Sequence, residues 1–263
     1  MDSVLLHQAA RSLGDAHRVV VFTGAGISAE SGVPTFRDDL TGLWARFDAA
    51  QLATPEAFHA DPDLVWGWYE WRRARVRRAT PNPGHRAITT IVDRAPAGTV
   101  VTQNVDDLHE RAGTRAPIHL HGSLFAPRCV AAAGHPATFP DLPEGAVTEL
   151  AEGGRIPPPR CVSCAALVRP GVVWFGEALP EAALTAAVEA AATCDVLLTV
   201  GTSGVVYPAA EVPRIAARAG ATVIQVNPEP TPLDPVTAVN LRGTAAQVLP
   251  ALVAAAWERT DGN

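Results

Sequence analysis

Apolar and polar positions follow two rhythms along the chain. Leu5, Leu6, Ala9 and Leu13 recur at helical spacing and predict a helix over 3–14. RVVVF at 18–22 is a continuous apolar, β-branched run, and TVVTQ at 99–103, DVLLTV at 195–200 and ATVIQV at 221–226 share that character. Such runs suit parallel strands buried on both faces. Alanine-rich stretches of helical character at 180–193 and 207–219 lie between the later strands. Strand and helix therefore alternate, and the expected fold is α/β with a Rossmann-like parallel sheet core.

Two stretches break the alternation. One is rich in tryptophan and arginine, from about 39 to 80, and the other carries Pro, Gly and Cys, from about 123 to 170. Both read as insertions that form a smaller lobe beside a core made of about 1–38, 81–122 and 171–263. IPPPRC at 156–161 reads as a surface connection, because consecutive prolines fix an extended backbone without donors. With 263 residues, a single domain elaborated by insertions is the natural expectation.

Composition narrows the class. Hydrophobic residues make up 48% and charged residues 18%, which suits a folded protein. The formal charge of -6 argues against non-specific nucleic-acid binding. The first residues lack the pattern of a secretion signal and no apolar run is long enough to span a bilayer, so neither nucleic acid nor membrane is expected as a partner and a cytoplasmic location is. Lysine is absent, so every fixed side-chain cation is an arginine. Four cysteines, Cys129, Cys161, Cys164 and Cys194, are too few for a disulfide scaffold at this length.

The chemistry begins where the first strand ends. Strand 18–22 runs into Gly24-x-Gly26-x-x-Ala29, a variant of the dinucleotide fingerprint in its strand-to-helix setting. Pro34, Phe36, Arg37 and Asp38 follow, adding an aromatic face and a cation close to that turn. Gln103, Asn104 and Asp106 stand at the end of the run at 99–103, where such residues commonly form turns and caps. His119 and His121 would share one face if IHLH is extended, and histidine titrates near neutrality.

Taken in order, these segments resemble the sirtuin family along nearly the whole chain. GAGISAESGVPTFR at 24–37 resembles its NAD-binding loop, TQNVDDLHERAG at 102–113 its TQN-x-D segment, and HLHGS at 119–123 its catalytic histidine motif. VVWFGE at 172–177 resembles its peptide-binding stretch; GTSGVVYPAA at 201–210 and QVNPEP at 225–230 resemble its later nucleotide loops. The resemblance implies an NAD-dependent protein-lysine deacylase. In that reaction the acyl-lysine carbonyl oxygen attacks the ribose carbon and nicotinamide leaves. A histidine then activates a ribose hydroxyl, and water releases free lysine with the acyl group left on ADP-ribose.

Carried over residue by residue, the resemblance selects His121, directly before Gly122, as general base with Asn104 and Asp106 beside it. It implies NAD contacts from Gly24, Ala25, Gly26, Ile27, Ser28, Pro34, Phe36, Arg37, Gln103, Asn104, Asp106, Gly201, Thr202, Ser203, Asn227, Glu229 and Ala245. Val173, Trp174, Phe175, Gly176 and Glu177 look like a strand that pairs with the substrate peptide. Two non-deacylase readings stand beside it: a nicotinamide-dependent oxidoreductase, and a non-catalytic NAD module or ADP-ribosyltransferase.

Two departures from the common pattern matter. Cys161-x-x-Cys164 has the bite of a zinc half-site, but the upstream pair is broken, with Cys129 present and Ala132 where its partner is expected. Three thiolates remain, His135 lies in the same insertion, and zinc is left open by an incomplete set. The second is Tyr69-x-x-Arg72 within WGWYEWRRARVRR at 66–78, a spacing that places both on one helical face. The pair resembles the Tyr-x-x-Arg of the branch that removes succinyl and malonyl groups, so an acidic acyl group is expected. The alternative is a solvated arginine-rich helix, and DDLTGLW at 38–44 departs from the glycine-rich loop of that branch.

Overall fold

In the computed structural model, which describes residues 2–34, 49–131 and 154–257, successive residues of β1 (Arg18–Thr23) point into two different cores. Val19 and Val21 pack with α1 (Ser3–Gly14), α6 (Pro83–Arg94) and α10 (Ala245–Trp257). Val20 and Phe22 pack with α8 (Glu181–Thr193) and α9 (Glu211–Arg218) on the other side. Because alternate side chains leave opposite faces of a strand, the sheet must be covered on both.

That sheet has six strands in the order β3-β2-β1-β6-β7-β8, every neighbouring pair parallel. The other strands are β2 (Ala97–Thr102), β3 (Ile118–His119), β6 (Val196–Val200), β7 (Thr222–Val226) and β8 (Val239–Leu241). The predicted runs at 18–22, 99–103, 195–200 and 221–226 fall on β1, β2, β6 and β7. The helix expected at 207–219 begins only at Glu211, after turns that include Pro208. Among the described residues no helix is long and apolar enough to cross a membrane.

Strand order reverses direction between β1 and β6, which is where a doubly wound sheet opens a crevice at its carboxyl edge. The loops that follow β1, β2, β6, β7 and β8 all leave from that edge.

The two insertions share one core. α3 (Ala49–Leu52), α4 (Pro55–Ala60) and α5 (Pro62–Arg78) come from the first, and the antiparallel hairpin of β4 (Gly122–Cys129) and β5 (Val168–Val172) belongs to the second. Phe58, Val65, Trp68, Tyr69, Leu124, Val172 and Trp174 are buried together there. Trp66, on another side of α5, packs with Cys129, Cys161 and Val168. α5 is thus clasped from two sides, and the Glu70–Arg73 ion pair neutralises charge buried on it.

Candidate functional site

The glycines of the first loop are there because two backbones touch. A Cβ at Gly26 would lie 2.7 Å from the Gly201 carbonyl oxygen, and one at Gly201 would lie 2.5 Å from the Ile27 nitrogen. Gly201 also has φ +60°, a left-handed conformation that favours glycine. The loops after β1 and β6 therefore close on each other at the switch point, tied by Gly26 N–H donating to the Gly201 carbonyl at 2.8 Å. Asn82, which caps α6, braces the same turn by donating to the Ile27 carbonyl at 2.7 Å.

Around this crevice the sequence-predicted residues meet. Asn104 Nδ2 donates to Ser28 Oγ at 3.1 Å, and Ser28 Oγ donates to Asp106 Oδ2 at 2.9 Å. Burial raises the Asp106 carboxyl above its usual range, opposed by the Leu108 N–H and the Ser28 hydroxyl. Gln103 Nε2 donates to Thr202 Oγ1 at 2.8 Å, and Asn227 Nδ2 donates to the Thr202 carbonyl at 2.8 Å. Ala245 is buried at the start of α10, and Ser203 and Glu229 sit on the loops after β6 and β7. Pro34 is half-buried close by in sequence, whereas Phe36 and Arg37 lie outside the described residues.

The two histidines part company. β3 ends at His119, and His121 lies in the turn before β4, so they do not share a strand face as an extended IHLH would require. The turn is forced by Gly122, with φ +72° and room for no Cβ, since one would meet the Gly171 carbonyl oxygen at 2.1 Å.

His119 Nδ1 faces the Asn104 carbonyl at 2.9 Å and Nε2 faces Glu110 Oε1 at 2.7 Å. Two acceptors call for two protons. Burial opposes charging this ring, but the Glu110 carboxylate and the Asn104 carbonyl hold its pKa above the ordinary histidine value.

His121 has the opposite arrangement. Its Nδ1 lies 2.9 Å from the Gln103 carbonyl, which can only accept, so the proton sits on Nδ1 and Nε2 is the basic nitrogen. Burial lowers its pKa, partly offset by that carbonyl, and the ring is neutral at physiological pH.

β5 stops at Val172, so the segment expected as a strand over 173–177 is instead a loop and turn, with Gly176 at φ +85°. Val173 N–H donates to the His121 carbonyl at 2.8 Å and Phe175 N–H to the Ala53 carbonyl at 2.9 Å. This fixes the segment between the histidine turn and the α3–α4 region, with the Phe175 ring half exposed. Burial works against ionisation of the Glu177 carboxyl, but Arg169, the Trp174 N–H and Arg128 hold its pKa below the ordinary value.

Tyr69 and Arg72 share one face of α5, and both are buried, which rules out a solvated face for this pair. Tyr69 Oη accepts from Trp174 Nε1 at 3.0 Å, and the Arg72 guanidinium lies 5.1 Å from the centre of the Trp68 ring. Burial drives the phenol's pKa upward and the guanidinium's downward.

Cys129, Cys161 and Cys164 bring their sulfurs within 4.8 Å of one another, with Cys129 and Cys164 at 3.3 Å. A tetrahedral zinc with bonds of about 2.3 Å places sulfurs about 3.8 Å apart, so three corners fit. Burial works against ionisation of Cys161, but the Ser163 and Cys164 N–H groups bring its pKa to about 7. No other His, Cys, Asp or Glu among the described residues joins the cluster, and Cys194 is buried in the sheet-side core. Ala132 and His135 lie outside the described residues. Three protein thiolates hold zinc less tightly than four, so metal analysis is expected to find less than one zinc per chain, removable by a chelator with the fold kept. One tightly held zinc per chain, lost together with the fold in Cys161→Ala, would show that three thiols suffice.

Sequence reasoning passed over Thr23, Thr102, His85 and His109, which lie beneath the crevice. Thr102 opens the very segment that points to Gln103 and Asn104, and a threonine beside that asparagine turn is the available signal.

The sheet, its switch-point loops and the neutral histidine beside them define a doubly wound α/β protein of the dinucleotide-binding kind. A family model described as the Sir2 family matches residues 24–208. The NAD-dependent protein deacylase of Methylococcus capsulatus is 58% identical over 247 residues, 93% of this chain and 94% of its own. NAD-dependent protein deacylase 1 of Pseudomonas aeruginosa is 58% identical over 246 residues, 93% of this chain and 96% of its own. A crystal structure of a Sir2 homolog–NAD complex aligns with TM-score 0.84 at 43% identity, covering 98% of this chain and 95% of that one. This chain belongs to the Sir2 family.

Proposed function

We infer that the chain is an NAD-dependent protein-lysine deacylase, a single catalytic domain in which His121 is the general base. The tautomer of His121 carries this reading. With Nδ1–H committed to the Gln103 carbonyl, Nε2 has its lone pair available and can take a proton from a ribose hydroxyl of NAD. The resulting imidazolium remains tied through Nδ1. His119, bridged between an acceptor carbonyl and a carboxylate, has no nitrogen to offer.

NAD is consumed as a cosubstrate. Its diphosphate belongs against the Gly24–Ser28 and Gly201–Ser203 loops, which meet backbone to backbone at the switch point. Asn104, Ser28 and Asp106 form one hydrogen-bonded set that orients ribose and nicotinamide. The acylated lysine of a protein substrate enters beside 173–177. Its acyl group reaches Tyr69 and Arg72, which favour a succinyl or malonyl group over acetyl.

Incubation with NAD and acyl-lysine peptides is expected to release nicotinamide in step with free lysine, with acyl-ADP-ribose as the co-product. NADH absorbance would instead mark an oxidoreductase, and ADP-ribose on protein without deacylated peptide a transferase. Because the chain has no lysine, the background from acylation of the enzyme's own side chains is absent.

A further inference from the structure

Asn104 N–H and the Gln103 carbonyl belong to one planar peptide unit, and the structure grips that unit from both sides. On one side His121 Nδ1–H donates to the Gln103 carbonyl at 2.9 Å. On the other, Asn104 N–H donates to Thr102 Oγ1 at 3.0 Å. Behind Thr102 the chain of hydrogen bonds continues into the core. Thr23 Oγ1 donates to Thr102 Oγ1 at 2.8 Å, and His109 Nε2 lies 2.9 Å from Thr23 Oγ1.

Proton accounting fixes the direction of this chain. Since the Thr23 hydroxyl gives its hydrogen to Thr102, Thr23 accepts from His109, whose proton therefore sits on Nε2. Thr23, Thr102 and His109 are all buried. Burial also brings the His109 pKa down to about 3, so the donor keeps one tautomer and one charge across the working range. His85, next to it at 5.1 Å between ring centres, is likewise held neutral, at about 4, by burial.

We infer that Thr102, Thr23 and His109 are positioning residues for deacylation, orienting His121 through the Gln103–Asn104 peptide unit. This rests on the reading of His121 as general base. A peptide plane is rigid, so its N–H cannot tilt without its carbonyl tilting too. Donation from Asn104 N–H into Thr102 thus sets the angle at which the Gln103 carbonyl meets the His121 ring. Serial hydrogen bonds of this kind also polarise one another, which strengthens the Gln103 carbonyl as an acceptor. A threonine hydroxyl serves the role because, buried, it accepts two hydrogen bonds from fixed directions.

Thr102→Val keeps the shape and removes the acceptor. The expected result is a kcat for deacylation lower by roughly three- to tenfold, with KM for NAD and for peptide unchanged within about twofold, and a Thr102→Ser enzyme that recovers most of the loss. In a His121→Ala background the same substitution should cost nothing further, because there is no ring left to orient. Unchanged kcat in a folded Thr102→Val protein, a Thr102→Ser enzyme as impaired as the valine variant, or full additivity with His121→Ala would each overturn the inference. Should Thr102→Val not fold, Thr23→Val read by the same kcat and KM split decides it. Loss of activity in His121→Ala with none in Thr102→Val defeats this inference alone, whereas activity retained in His121→Ala defeats the general-base reading and this inference with it.

Discussion

His121→Ala is expected to lower NAD-dependent deacylation by at least ~100-fold, the lower range for loss of a general base, while leaving the protein folded. The side chain sits half-buried in a turn and contributes one hydrogen bond to the Gln103 carbonyl, so its removal costs little of the core. His119→Ala should do far less to turnover. It deletes a partly exposed link between Asn104 and Glu110 that supplies no free nitrogen.

The pH profile gives an independent check. Burial depresses the His121 pKa below the ordinary 6.5, and only the neutral ring can act as base. Activity that depends on His121 is therefore present above that lowered pKa and lost as pH falls through it. The acid limb of the profile belongs below pH 6.5, and it should disappear in the residual activity of His121→Ala. Near wild-type turnover in the folded variant, or an acid limb well above 6.5, would remove His121 from the role.

Much of the fold is legible in the sequence. Strands β1, β6 and β7 are buried along most of their length, so their apolar runs carried no competing signal. The glycine loop was equally plain, because a backbone-to-backbone contact admits few other residues. What failed to show were features fixed by partners distant in sequence. IHLH looks like four extended residues, yet the contact between Gly122 and Gly171 turns the chain after Leu120 and gives the two histidines separate surroundings. VVWFG looks like a strand, but Trp174 leaves the hairpin to meet Tyr69 and Phe58 on other helices. His85 and His109 are buried, which nothing in their sequence neighbourhood announces.

Acyl discrimination is the second large effect expected, and on the proposed reading it turns on Arg72. The wild type is expected to prefer succinyl-lysine over acetyl-lysine peptides, and Arg72→Met to erase about ten- to a hundredfold of that preference. The figure corresponds to a charge-assisted hydrogen bond of roughly 1.5 to 3 kcal/mol. A guanidinium grips a carboxylate with two parallel N–H groups, and burial against Trp68 strengthens the attraction by excluding water. Tyr69 can assist because it spends only its acceptor capacity on Trp174 Nε1, and its own proton remains for a carboxylate. With its pKa pushed upward by burial, the phenol stays protonated throughout the assay range. Tyr69→Phe should lower the preference less than Arg72→Met, since a neutral donor contributes less than a cation. It also strands the Trp174 Nε1–H in the core, so it should lower thermal stability as well. Acetyl turnover equal to or better than succinyl in the wild type, indifferent to both substitutions, would leave a general deacetylase whose Arg72 does not read the acyl group.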